Sequence, residues 1–169
     1  MIKNKYLYIL LIIFFFQSNV QANTNVAYMD FNYIINNSII GKKILNDLNN
    51  LNKKNIENLK IEQNKLKKEM EEINKIKNIS SKEEVNKKVI IHNKNIKIYD
   101  NLKKRLSTDL NKRRKDELNK LVKLINPLLE NYMKQNSIDI ILNKEIIYFA
   151  QEKFDISKDI LELTNNKYK

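Results

Sequence analysis

Along the middle of this chain, apolar residues return at helical rather than strand intervals. From Ile39 to about Asn78, Leu45, Leu59, Leu66 and Ile73 fall on one seven-residue register, with Asn52 the polar exception; Leu48, Ile56, Met70 and Ile76 flank it. A stripe of that period predicts a helix packed along one face against another helix, and a helix of that length spans about 60 Å. The run breaks at Asn78-Ile79-Ser80-Ser81, and Ser81 followed by Glu84 is a capping-box signature for a second helix. Val85, Val89, Ile96, Tyr99, Leu106 and Leu110, then Leu118, Leu121, Ile125, Leu128 and Tyr132, carry that helix to about Lys134. Helix, short break and helix predict a long antiparallel hairpin. Asn52, Asn55, Gln63, His92 and Lys103 stand on or beside its stripe, so the middle should pack thinly and be able to bend or splay. Pro127 inside the second helix removes one backbone hydrogen bond and predicts a bend there.

The ends read differently. Asn25 to Met29, with Val26 and Tyr28 alternating against Ala27 and Met29, reads as a short strand followed by a helical turn around Phe31 to Ile35. Near the other end, Ile138 to Leu142 and Ile146 to Ala150 are compact apolar runs separated by Asn143-Lys144-Glu145, which predicts a β-hairpin with a weak, glycine-free turn. Asp155 or Ser157 is placed to cap a last helix with Ile160, Leu161 and Leu163 inward. Strands from both ends must then meet in one small sheet at the base of the helical arm. So small a body cannot bury Val26, Tyr28, Ile138, Ile140, Leu142, Ile146 and Tyr148 by itself, so these residues predict an oligomerisation surface. The fold class is therefore mostly α with a small β body. The arm occupies residues 39–135, and the body is made from 23–38 and 136–169.

Composition sharpens this picture. One Gly and one Pro in 169 residues suit long unbroken helices rather than a many-turned β fold, and with no Cys no disulfide contributes. Residues 39–135 carry 25 Lys or Arg against 13 Asp or Glu, a net +12, whereas 23–38 and 136–169 together carry 5 against 7. A basic arm attracts nucleic acid, anionic lipid or acidic protein. Lys3 and Lys5, the apolar run Tyr6 to Phe16 and the small residues Val20 and Ala22 compose a secretory signal peptide over residues 1–22, cut after Ala22. Export disfavours nucleic acid as a partner. A stiff envelope spacer is a competing reading, opposed by the Asn-interrupted stripe.

Catalytic chemistry has little to stand on. A phosphate-cradling loop needs at least two glycines. Zinc sites want several Cys or His, and His92 is the sole histidine. Carboxylate neighbours such as Glu71-Glu72, Glu83-Glu84 and Asp116-Glu117 are adjacent on a helix and do not face one another. No enzyme, cofactor or metal is expected.

Val26-Ala27-Tyr28-Met29-Asp30, then Ser38 and Gly41-Lys42, together with Ile138-Asp139-Ile140-Ile141-Leu142 and Asp155-Ile156-Ser157, resemble the opening, returning-strand and closing motifs of the Skp/OmpH family of periplasmic chaperones. The resemblance covers essentially the whole exported chain. It implies a homotrimer whose strands share a β-barrel body and whose helical arms surround a cavity for unfolded outer-membrane proteins, held without ATP. It also implies that Lys112, Arg113, Arg114 and Lys115 are similar to a basic patch proposed to meet lipid headgroups or lipopolysaccharide.

Overall fold

The computed structural model describes residues 24–168, so the signal-peptide reading of 1–22 lies outside the described residues. The order of elements is β1 (Val26–Met29), α1 (Phe31–Asn37), α2 (Ile39–Ile76), α3 (Lys82–Gln135), β2 (Ile140–Asn143), 3₁₀ turns at Lys144–Ile146 and Glu152–Phe154, and α4 (Ser157–Lys167).

Short polar side chains set the joints. Asp30 starts α1 by accepting from the Tyr33 N–H at 2.8 Å. Ser38 ends α1 and begins α2: its N–H donates to the Ile34 carbonyl at 2.9 Å, and its Oγ accepts from the Gly41 N–H at 3.0 Å. This joint brings α2 so close beneath α1 that a Cβ on Gly41 would lie 2.0 Å from the Ile35 carbonyl oxygen. Glycine is required here by close approach of backbone. At the far end of the arm Ser81 is the N-cap of α3, its Oγ accepting from the Glu84 N–H at 3.2 Å.

α2 and α3 lie side by side. Glu72 meets Lys88 and Glu69 meets His92, while Leu48 and Leu51 line a groove with Asp109 and Arg113. Partner numbers fall on α3 as they rise on α2, so the two helices run in opposite directions. Ile73 and Leu48 are buried between them and Leu45, Leu59 and Leu66 are half-buried, but Ile56 and Met70 are exposed. α3 is the longer helix, 54 residues against 38, and runs through Pro127 into the body. There Leu121 and Ile125 join Ala27, Ile34, Ile35, Ile156 and Ile160 in the core. The helix ends with Ser137 in the left-handed region (φ 52°) and the Ile138 N–H donating to the Met133 carbonyl at 3.0 Å, a Schellman-type stop.

The sheet differs from the expected β-hairpin. β1 pairs with β2 in parallel, Val26 opposite Ile140 through Met29 opposite Asn143, because the whole arm separates the two strands as a crossover. The returning strand thus spans Ile140–Asn143, not Ile138–Leu142, and Ile146 to Ala150 is not a strand paired with it. Asn143 Oδ1 accepts from the Glu145 N–H at 3.2 Å, folding the chain into a 3₁₀ turn where a hairpin would need a two-residue reversal. One chain holds two strands among its described residues, so a barrel is not a property of the single subunit. A further correction concerns α4. Ile160 is buried, but Leu163 is exposed, and Thr164 takes the inner position because it stands four residues from Ile160 on the same face.

Candidate interaction surfaces of the body and the arm

The first and last motifs of the chain meet in the body. Tyr28 forms a parallel bridge with Asp155, the Ile156 N–H donates to the Tyr28 carbonyl at 2.9 Å, and the Asp30 N–H donates to Ser157 Oγ at 2.8 Å. The Asp155 carboxylate accepts from the Ser157 N–H at 2.9 Å and from the Ser157 hydroxyl, an Asx turn leading into α4; the N-cap position itself is Ile156, without a side-chain cap, so neither Asp155 nor Ser157 is the N-cap residue expected from the sequence. Lys144 Nζ reaches the other Asp155 oxygen at 3.1 Å. Burial pushes the Asp155 carboxyl up, but the hydrogen bonds from Ser157 and Lys144 outweigh it and hold it below the usual value. Hydrogen bonding and charge from Asp155 push Lys144 up. Tyr132, which donates to Asp159, is pushed up to about 12 by burial and by that carboxylate.

These shifts fix a pH dependence. A depressed carboxyl stabilises the fold above its unfolded value of about 3.9 and loses that contribution as pH falls through the folded value. The body should therefore keep this stabilisation from about pH 4 upward and lose it in acid. Asp155→Asn should lower the melting temperature at pH 7 and flatten its fall below pH 4. An unchanged acid limb in thermal melts would show that this carboxylate has no part in it.

The seven residues expected to cover an oligomer interface are not equivalent. Tyr28 is buried within its own chain, and Ile138 and Leu142 are half-buried; Val26, Ile140 and Ile146 are exposed, and Tyr148 is fully exposed. Phe149, 87% exposed, joins them. An apolar groove of about 710 Å³ runs beside them, lined among others by Val26, Leu142, Ile147, Phe149 and Phe154. Ile147 and Gln151 have extended backbone, so the segment between the two 3₁₀ turns has strand-like ends but no strand partner in the described chain.

On the arm, one of the polar residues that thin the stripe, His92, sits in an ordered polar layer. The His92 Nδ1–H donates to Glu69 Oε2 at 3.0 Å, and Asn95 Nδ2 donates to Glu69 Oε1 at 2.8 Å. One carboxylate of α2 thus satisfies two groups of α3, and His92 is a buried structural residue. Among the described residues no buried side-chain polar atom lacks a partner. Glu69→Ala would leave both donors without their acceptor, at a cost of about 1–3 kcal/mol. Hydrogen exchange should speed up around Glu69 and His92 to Asn95, toward the outer end of the arm, and stay unchanged in the body; uniform protection would refute this.

Lys112, Arg113, Arg114 and Lys115 are all exposed on α3. Four consecutive residues turn through most of the helix circumference, so they do not make one patch on one face, and Arg113 is engaged by Glu117 at 3.0 Å. No group of His, Cys, Asp and Glu suited to a metal occurs among the described residues, and no described helix is long and apolar enough to cross a membrane.

A family model described as outer membrane protein (OmpH-like) matches residues 25–163. This chain belongs to the OmpH-like family. The match takes in both motifs that meet in the body and the entire arm of this OmpH-like protein. A crystal structure described as an outer membrane chaperone (OmpH-like) from Caulobacter crescentus is similar to it with a TM-score of 0.77 and 12% sequence identity, over 86% of each chain. At that identity the likeness establishes the fold. No curated protein matches the chain.

Proposed function

We propose that this OmpH-like protein is an ATP-independent holdase of the periplasm. Copies of the chain, three by the family resemblance, join through their β bodies and hold unfolded outer-membrane proteins between their arms. Family membership and the shared fold support a chaperone role. The observation that carries the reading is the contrast between the two ends of the molecule. The body closes a core around Ile34, Leu121, Ile125 and Ile160. The arm, by contrast, buries Leu48, Ile73 and His92 along its length beyond the tight joint at Gly41 and leaves Ile56, Ile79, Ile90, Ile91 and Ile98 in solvent. A pair of helices that exposes so many isoleucines is built for contacts it does not make with itself.

The physics of holding follows. An unfolded outer-membrane protein exposes apolar strands and aggregates. A basic arm attracts acidic clients over about one Debye length, roughly 8 Å at physiological salt, and scattered apolar residues then add many weak contacts. Several arms on one body multiply these contacts into avidity without a single tight site. Lys112, Arg113, Arg114 and Lys115 remain available to anionic groups of a client or of lipid, each from its own side of α3. Release is driven by the client folding into its membrane, which needs no nucleotide. Export by the N-terminal segment would deliver the protein to the compartment such clients cross.

Light scattering of a porin diluted from denaturant tests this reading. The exported chain should suppress aggregation at near-stoichiometric amounts, and no suppression would favour an envelope spacer instead. Client affinity should fall steeply between low and high salt, and a dissociation constant insensitive to salt would discard electrostatic capture.

A further inference from the structure

Positive charge is concentrated in one zone of the arm. Segments 53–68 of α2 and 94–115 of α3 together carry 15 Lys or Arg against 4 Asp or Glu, a net +11, while the outer end, 69–93, carries 5 of each. The two basic segments lie against each other: Glu62, Lys65 and Leu66 line one groove with Tyr99, Leu102 and Arg105. They form a single cationic belt about 33 Å long on α3. Among the described residues the belt's cations make two ion pairs, Lys65 with Glu62 and Arg113 with Glu117. The outer end is neutral partly by internal pairing, Lys87 with Glu83 at 2.8 Å and Lys88 with Glu72 at 3.8 Å.

Apolar exposure has a different distribution. Ile56, Ile61, Ile96 and Ile98 are exposed within the belt, and Met70, Ile79, Ile90 and Ile91 continue the exposure over the neutral end, with Ile79 82% exposed at the loop between the helices. The belt therefore offers charge and apolar surface together, whereas the outer end offers apolar surface with no net field.

We propose that each arm contacts the unfolded polypeptide held between the arms in two zones: acidic stretches settle on the cationic belt, and apolar stretches settle on the neutral outer end around Ile79, Ile90 and Ile91. This deepens the holdase reading and rests on it. The occupant follows from charge complementarity on the belt and from the adjoining apolar end, a combination that suits a chain carrying both kinds of segment. The belt centre and the outer end are separated by several Debye lengths, so their contributions separate kinetically. Charges set the encounter rate and its salt dependence, and desolvated apolar contacts set the lifetime.

The test uses the assembled full-length exported chain, with a denatured acidic outer-membrane β-barrel protein as probe, in stopped-flow binding at several salt concentrations. Three sets of exposed substitutions are compared: Lys60→Gln, Lys97→Gln and Lys104→Gln in the belt; Lys75→Gln, Lys77→Gln and Lys82→Gln at the end; and Ile79→Ser, Ile90→Ser and Ile91→Ser at the end. The belt set should slow association by about tenfold at low salt and flatten the salt slope. The lysine set at the end should do neither, and the isoleucine set should speed dissociation by about tenfold with the association rate kept. If the two lysine sets slow association equally, or the isoleucine set leaves dissociation unchanged, the two-zone arrangement is overturned while the holdase reading stands. If the wild-type protein fails to bind the probe, the holdase reading itself falls. Should vesicles containing phosphatidylglycerol bind in preference to the polypeptide, and lose binding only in the belt set, lipid is the belt's occupant and the proposal is wrong.

Discussion

Gly41→Ala is expected to destabilise the body. A Cβ at this position would stand 2.0 Å from the Ile35 carbonyl oxygen and 2.7 Å from Ser38 Oγ. The first is a backbone atom and cannot swing aside as a side chain would. Relief requires α1 to tilt away from α2, or the first turn of α2 to unwind and surrender the Ser38 cap. Either movement opens the core at Ile34 and Ile35, both buried. Overpacking of this kind costs about 1–3 kcal/mol, and a lost cap costs about 1 more. The better helix propensity of alanine returns only about 1, so the net is a loss of roughly 1–3 kcal/mol out of a total stability that is small for any domain of this size. Thermal melts should show a clearly lower midpoint for Gly41→Ala, and Asn49→Ala, on the exposed side of the same helix, should match or exceed wild type. Equal midpoints for Gly41→Ala and wild type would mean that the approach of the two backbones is looser than the structure has it.

That glycine shows where the sequence was readable and where it was not. Helical periodicity is a local signal, and it located α2, the break at Asn78 to Ser81 and α3 to within about two residues, since each depends on neighbours three and four positions apart. Gly41 could be noticed as the sole glycine, but its role depends on how α1 folds back over α2, which no spacing encodes. The parallel pairing of β1 with β2 was missed for the same reason. A hairpin joins neighbours in sequence, whereas Val26 and Ile140 are brought together only after the whole arm has been built. Glu69 was passed over as an ordinary surface carboxylate, because its two partners, His92 and Asn95, lie on the other helix. Once the turn of the arm is fixed, pairing residues whose numbers sum to about 161 would have found it. The zoning of charge was present in the sequence throughout, but it becomes a belt only when 53–68 is laid against 94–115. Lys112 to Lys115 drew notice through the family resemblance, and helix geometry distributes the four around the circumference of α3.

If the body assembles as proposed, Tyr148→Asp combined with Phe149→Asp should convert the oligomer into single chains without unfolding them. Neither side chain belongs to the core of its own subunit, and both stand almost wholly in solvent beside exposed Ile146. Burial against a neighbouring copy stabilises an aromatic side chain by about 2 kcal/mol, and placing a carboxylate there adds a desolvation cost of several kcal/mol more. In a closed ring these costs recur at every interface, so the shift in the assembly equilibrium should exceed a thousandfold. The extended ends of 147–151 supply the second half of the argument. Backbone groups that find no strand partner within the subunit are suited to pair with a neighbour's edge, and two charged residues in that stretch would work against such pairing. Size-exclusion chromatography with light scattering at micromolar concentration should give an oligomer for wild type and a single-chain mass for the double variant, both with the same helical circular dichroism. Suppression of porin aggregation should fall with the mass, because isolated arms lose the avidity that several arms share. A wild-type protein that elutes as a single chain would remove the oligomeric body, and an oligomeric double variant would place the interface elsewhere.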